Sequence, residues 1–189
     1  MATNYPATFG EALAKHARER PTQIALRHDD RITDYATLDR QASQIAAGLH
    51  AMGLMKGARV AYIGKNSDRA IALTLGAARA GIVFVPIIWR LAPAEIAGIL
   101  EDAAPGAIFV EPAFAHCVAD RSPVLIMDEA FDVWREAQPD DALPVGVEED
   151  GDEGVEDPNK ATTRVSQVII SARAKAAQIL FIPMAYLEI

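Results

Sequence analysis

Residues 59–85, RVAYIGKNSDRAIALTLGAARAGIVFV, decide the fold. Arg59-Val-Ala-Tyr-Ile-Gly64 is a run too apolar to leave one side for water, and it breaks into the polar turn Lys65-Asn66-Ser67-Asp68. A very apolar helical stretch follows from about Arg69 to Ala80, with Asn66 or Ser67 as its cap. Gly81 is its stop, and Ile82-Val-Phe-Val85 reads as a second buried strand. Strand, helix and strand in so few residues make a right-handed parallel crossover. Strands apolar on both faces imply a sheet covered on both sides.

Working outward, the same logic extends in both directions. Thr8 with Glu11 three residues later is a capping-box pattern, and Phe9, Leu13, His16 and Ala17 share a helical face that Pro21 ends. Ile24, Leu26 and His28 alternate with Ala25 and Arg27 before Asp29-Asp30, which predicts a short hairpin with Ile32 on its second arm. Thr37 is placed to cap a helix in which Leu38, Ala42, Ile45, Ala46, Leu49 and Met52 follow a 3.6-residue period, with Gly53 as a left-handed stop. Downstream, Ala92-Pro-Ala-Glu95 opens a short helix to about Leu100. Ala107-Ile-Phe-Val110 and Val124-Leu-Ile-Met127 are a third and a fourth strand. The expected fold is α/β, an open, mostly parallel, doubly wound sheet, and no internal repeat is visible.

Composition agrees with one acidic globular domain: 189 residues, 51% hydrophobic, 23% charged, formal net charge -8. No basic excess favours nucleic acid. No apolar run is long enough to span a bilayer, and the first residues lack the pattern of a secretory signal, so the expected compartment is the cytoplasm and membrane binding is not expected. The single Cys117 fits that compartment. Charge is uneven, however. Residues 148–157 hold seven acidic side chains and no basic one, which reads as a solvated linker. Their spacing lacks the alternation and terminal Glu of a calcium loop. The expected organisation is an α/β unit over 1–147, an acidic linker over 148–157 and a divergent tail over 158–189.

The search for chemistry returns no catalytic, cofactor-binding or metal-ligating residue. Gly64-Lys65-Asn66-Ser67 resembles the end of a phosphate loop, but Arg59 stands where its first glycine belongs and Asn66 where a magnesium-binding hydroxyl belongs. No Gly-x-Ser-x-Gly elbow occurs, and Cys117 beside His116 reads as a structural thiol, buried or half buried, because neighbouring side chains diverge. His16, His28, His50 and His116 are scattered and indicate no zinc site, with His16 a partly buried structural residue. Asp29-Asp30, Glu101-Asp102 and Asp140-Asp141 sit at turns or helix ends, where carboxylates cap and solubilise.

Four strings, in order and at their spacing, carry a resemblance. They are Ile32-Thr-Asp-Tyr-Ala-Thr-Leu-Asp39, Gly57-Ala-Arg-Val-Ala-Tyr-Ile-Gly-Lys-Asn66, Gly76-Ala-Ala-Arg-Ala-Gly-Ile-Val-Phe-Val-Pro-Ile-Ile-Trp-Arg-Leu91 and Ala94-Glu-Ile-Ala-Gly-Ile-Leu-Glu-Asp102. Together they resemble the amino-terminal part of the adenylate-forming (AMP-binding) superfamily, in its acyl-CoA synthetase or fatty-acid–CoA ligase branch. The family-signature positions are Gly81, Pro86, Trp89 and Arg90. Gly81 frees the chain to enter a strand at once, and Pro86 ends that strand by withholding a donor. Trp89 and Arg90 present a flat surface and a charge at the strand's carboxyl end, with packing and a surface ion pair as their expected roles.

The resemblance runs from about Thr8 to Gly151. Complete relatives use ATP, Mg and CoA to convert a carboxylic or fatty acid to an acyl-adenylate and then an acyl-CoA. The phosphate loop and the carboxyl-terminal domain with its catalytic lysine do not occur in these 189 residues. The resemblance therefore implies a truncated ligase, inactive alone and with no cofactor of its own. The alternatives are a non-catalytic module that pairs as a homo-oligomer or with a full-length paralogue, and the product of an altered reading frame. In the tail, Val165, Val168, Ile169, Ala172, Ala176, Ile179 and Leu180 share a helical stripe that Pro183 ends, although residues 179–187 could instead add a strand.

Overall fold

A computed structural model of the chain describes residues 8–118, 121 and 123–141. Apart from Ala51–Gly53, these form one compact unit. The expected boundaries at 147 and 157, the acidic linker and the tail helix lie outside the described residues.

The elements follow in the order α1 (Phe9–Glu19), β1 (Ile24–His28), β2 (Arg31–Asp34), α2 (Tyr35–Ala51), β3 (Arg59–Ile63), α3 (Asp68–Arg79), β4 (Val83–Ile87), α4 (Pro93–Ala103), β5 (Ala107–Val110), a 3-10 helix (Pro112–Val118), β6 (Val124–Ile126) and α5 (Glu129–Glu136). The main sheet is parallel throughout, in the order β4-β3-β5-β6, and β1 and β2 pair separately as an antiparallel hairpin. The open α/β sheet is thus present, with the crossover of residues 59–85 forming β3, α3 and β4.

The local reasons are visible at the caps. Thr8 and Glu11 form the reciprocal capping box. Ser67 caps α3 by accepting from the Ala70 N–H. Gly81 has φ of +69°, so the chain turns out of α3 in a conformation that a side chain would strain, and enters β4 two residues later. At α2 the cap is Asp34 rather than Thr37: its Oδ1 accepts from the Thr37 N–H at 2.8 Å, and the helix starts at Tyr35, earlier than the periodicity suggested.

Side-chain alternation then sorts the core into two layers. Ala61 and Ile63 of β3, Ile87 of β4, and Ile108 and Val110 of β5 pack with Ile96 and Leu100 of α4 and with Val118. The intervening Phe109 points the other way, into an aromatic group with Phe131 and Trp134 of α5, centroids 5.6–6.0 Å apart. On that second face α2 and α3 cross closely enough that a methyl on Gly76 would meet Ile45. The helix α5 and the 3-10 helix were not anticipated.

Two expectations about this sheet are corrected. The strand expected over 82–85 is not a buried one: β4 is an edge strand, with Val83 half exposed. Pro86 does not end it either, since the strand continues to Ile87. The Val83 N–H donates to the Ala58 carbonyl, so alternate amides of β4, at 83, 85 and 87, face β3. The nitrogen of Pro86 faces the open edge, where a missing N–H breaks no ladder bond. The face assigned to α1 also shifts: Leu13 is buried, but Phe9 is 80% exposed.

Candidate functional site

In an open parallel sheet, ligands meet the carboxyl ends of the strands. A cleft of about 760 Å³ opens there, at the β4 edge. Its floor is Tyr62 of β3 with Phe84 and Pro86 of β4, its wall is Ala70, Ile71 and Thr74 of α3, and its rim is the two turns that follow β3 and β4. Tyr62 and Phe84 stack, centroids 6.0 Å apart, which makes the floor flat and apolar.

The rim is cationic and aromatic. The Arg90 guanidinium lies 4.2 Å from the centroid of Trp89, and the Lys65 ammonium lies 5.3 Å from it. Trp89 in turn packs on Phe114 of the 3-10 helix, at 5.3 Å between centroids. The surface ion pair expected for Arg90 is not formed with any described residue; the indole supplies its contact instead. Arg90 and Lys65 are exposed, so both keep donors for an incoming anion.

The turn after β3 is pinned from the neighbouring strand. Glu111 follows β5 directly, and its own N–H donates to the Ile63 carbonyl at 3.0 Å. Its Oε2 accepts from the Lys65 N–H at 3.1 Å, and its Oε1 lies 3.1 Å from the Tyr62 hydroxyl. That hydroxyl also reaches the Lys65 carbonyl at 2.5 Å, so its single proton is shared between the two acceptors. Burial, reinforced by the Glu111 carboxylate, pushes the Tyr62 hydroxyl far above the ordinary tyrosine range and keeps it a donor. Gly64 is required here by close approach, since a methyl would fall against the Tyr62 ring and 2.7 Å from Glu111 Cγ.

The four signature positions thus separate. Pro86, Trp89 and Arg90 line the cleft, while Gly81 lies at the opposite end of β4, where its carbonyl accepts from Gly57 at 2.8 Å. Lys65 and Asn66, set aside as a failed phosphate loop, also line the cleft. Glu111 and Tyr62 were missed, although an acidic residue directly after an apolar strand is a readable signal for the ligand end of a sheet.

A second charged cluster lies away from the cleft. Arg79 of α3 has only 1% of its side chain exposed, and it bonds the Asp39 carboxylate, the Asp39 carbonyl and the Ser43 hydroxyl of α2. Arg69 bridges α3 to Asp132 of α5 at 2.6 Å, and Arg31 ties the hairpin to Asp68 at 2.6 Å. These are fastenings between elements.

The remaining candidates stay apart. Cys117 is half buried as expected, but it does not diverge from His116: Sγ lies 3.4 Å from Nε2, because the imidazole is long enough to reach back along the 3-10 helix. Among the described residues no third group bonds to the pair. His16 is half buried against Tyr35. Asp29 turns the hairpin with φ of +51°, and Glu101 meets Arg121 at 3.5 Å. Among the described residues no three His, Cys, Asp or Glu side chains converge as a metal site, and no helix is long and apolar enough to cross a membrane. The two rim cations suit phosphate.

Comparison with known proteins places this architecture. The model of the AMP-binding enzyme family matches residues 13–180, further than the motif strings reach. The chain is 34% identical over 133 residues to a fatty acid–[acyl-carrier-protein] ligase, ScoC, of Streptomyces coeruleorubidus, an alignment covering 68% of this chain and 26% of that protein. It is 34% identical over 148 residues to a feruloyl-CoA synthase of an Amycolatopsis species, covering 75% of this chain and 29% of that protein. Among solved structures, the Mycobacterium tuberculosis fatty acyl CoA synthetase superposes with a TM-score of 0.68 at 27% identity, over 74% of this chain and 30% of that one. The chain therefore spans between a quarter and a third of the length of these relatives.

Proposed function

The chain belongs to the AMP-binding enzyme family, and from that premise we propose that it supplies the amino-terminal α/β part of a ligase joining a carboxylic acid to CoA or to a carrier-protein thiol. In the complete reaction the carboxylate attacks the α-phosphate of ATP and expels pyrophosphate to give an acyl-adenylate, and the thiol then displaces AMP. The relatives named for CoA and acyl-carrier-protein ligation support that class. Within it, the cleft beside β4 takes a phosphate-bearing part of a ligand such as CoA. The observation that carries this is the pair of exposed cations, Lys65 and Arg90, gathered on one indole over an apolar floor. Charge at such a rim attracts phosphate, and the flat floor accepts a ring or an acyl chain.

Among the described residues the one thiol and imidazole in contact, Cys117 and His116, do not line the cleft, no three His, Cys, Asp or Glu side chains converge, and the 189 residues contain no phosphate loop. The chain by itself is therefore expected to bind without adenylating. ATP–pyrophosphate exchange on the purified 189-residue protein, with fatty and aromatic acids offered in turn, is expected to stay at background; robust exchange would overturn this part of the reading.

A second reading, an interaction module that pairs with itself or with a full-length paralogue, is favoured by one observation. The β4 edge is unpaired in the described sheet, and Ile88 beside it is 63% exposed, with Ile71 and Val83 also exposed. Light scattering separates the readings, since a monomer at high concentration argues against pairing.

A further inference from the structure

Resting on the reading of the cleft as a phosphate site, we propose that Glu111 is its positioning residue: with Tyr62, its carboxylate fixes the turn at Gly64 and Lys65 so that the Lys65 ammonium stands at the cleft rim over Trp89. The geometry is a three-point hold. The backbone N–H of Glu111 meets the Ile63 carbonyl, Oε2 takes the Lys65 N–H, and Oε1 faces the Tyr62 hydroxyl. Both carboxylate oxygens are engaged with the protein, which suits holding rather than proton transfer to a ligand. Tyr62 completes the hold by reaching the Lys65 carbonyl, so the peptide units on both sides of the Lys65 Cα are bound.

The other end of the turn has an anchor of its own. Ser67 caps α3, which leaves Gly64, Lys65 and Asn66 to span from β3 to the helix between two anchored points. Such a short connection has few arrangements, and losing one anchor releases several backbone torsions at once. The freed lysine would sample solvent rather than one place on the indole, and affinity would fall through lost preorganisation. The Glu111 charge itself contributes nothing favourable to a phosphate; its value is geometric. Glutamine can replace it on that account, its amide oxygen accepting from Lys65 N–H and its amide N–H donating to the Tyr62 oxygen, which still donates to the Lys65 carbonyl.

The test uses the full 189-residue chain as wild type and as Glu111→Gln, Glu111→Ala, Tyr62→Phe, Lys65→Ala and Arg90→Ala. NMR reads the Lys65 amide exchange rate and the Trp89 indole resonance without ligand, and a titration reads CoA affinity. For Glu111→Ala, Lys65 exchange should quicken by about tenfold or more, the Trp89 resonance should move toward that of Lys65→Ala, and CoA affinity should fall by about tenfold. Glu111→Gln should keep all three within about threefold of wild type, as a loss of charge without a loss of hydrogen bonds permits. Wild-type exchange and an unmoved indole in Glu111→Ala would overturn the proposal, as would a glutamine variant that behaves like alanine. Should Glu111→Ala fail to fold, Tyr62→Phe decides, because it keeps the Lys65 N–H bond but must still loosen the carbonyl side; wild-type behaviour there overturns the paired hold. CoA binding indifferent to both Lys65→Ala and Arg90→Ala would instead overturn the cleft reading, a separable failure because the exchange measurement involves no ligand.

Discussion

Arg79 and Arg90 lie eleven positions apart in the chain, at opposite ends of the β4 crossover, and the protein treats them in opposite ways. Arg79 is enclosed, with its guanidinium bonded to Asp39 and Ser43 across the α2–α3 contact. Arg90 is exposed, stacked on Trp89 and free of any ion pair among the described residues. The difference separates two uses of one side chain. Enclosed and bonded, arginine joins two helices, and its one donor without a described partner, Nε, is buried away from solvent. Exposed on an aromatic rim beside a second cation, it keeps planar donors for a ligand.

The largest effect expected from this contrast is at Arg79. Its replacement by alanine leaves a void where α2 and α3 meet and strips Asp39 and Ser43 of their partner, a loss of about 3 kcal/mol for a broken buried pair. Denaturant melts of Arg79→Ala are expected to show it, with Arg79→Met losing less because its side chain refills much of the void, while Asp39, 26% exposed, can hydrate in either variant. A stability within error of wild type would erase the distinction.

The converse applies at the rim. The double variant Lys65→Ala, Arg90→Ala is expected to unfold within about 0.5 kcal/mol of wild type, as surface substitutions usually do. Its CoA affinity should nonetheless fall by about thirtyfold and lose most of its salt dependence, since exposed charges act through screened, additive contacts of modest size. A destabilised double variant with unchanged binding would make Lys65 and Arg90 fastenings like Arg79.

Much of this framework is written in local pattern. The βαβ crossover, the Thr8 and Ser67 caps, the hairpin and the turn at Gly81 follow from spacing and from single-residue conformational preferences, which act over a few positions. What escapes such reading is set by distant pairing. Glu111 matters because β5 lies beside β3, bringing it to Tyr62 from 49 positions away. Pro86 misled because a proline ends a strand only if its N–H was owed to a neighbour, and whether β4 is central or at an edge is a property of the whole sheet. Arg79 sits in one of the resemblance strings but gains meaning only when Asp39 folds against it. The short α5 carries a readable signal, Asp128 as a cap and Phe131 and Trp134 three positions apart on one face, but eight residues are easily passed over beside the longer helices.

Exposure by itself does not divide the two uses of charge, and Asp34 shows why. Its carboxylate is only half buried, yet it is committed to the backbone: hydrogen bonds from the Thr37 N–H and then the Thr37 hydroxyl hold its pKa below the ordinary value of 3.8. A carboxylate whose folded pKa is depressed binds fewer protons in the native state than in the unfolded chain. Its contribution is therefore fully present above the unfolded value and is lost as pH falls through the folded one. Asn is about as good a cap as Asp but does not titrate. Asp34→Asn should accordingly be close to wild type in stability well below pH 3.8, where the wild-type carboxyl is protonated in both states, and slightly less stable near neutrality, where the charge at the helix start favours the native state. The informative quantity is the difference between the two proteins in urea midpoint across pH 2.5 to 7, because every other titrating group cancels. A difference that grows as pH rises toward the ordinary carboxylate value of 3.8 and is flat above it makes Asp34 a fastening despite its exposure. A difference independent of pH would place it with Lys65 and Arg90, as a charge the fold does not use.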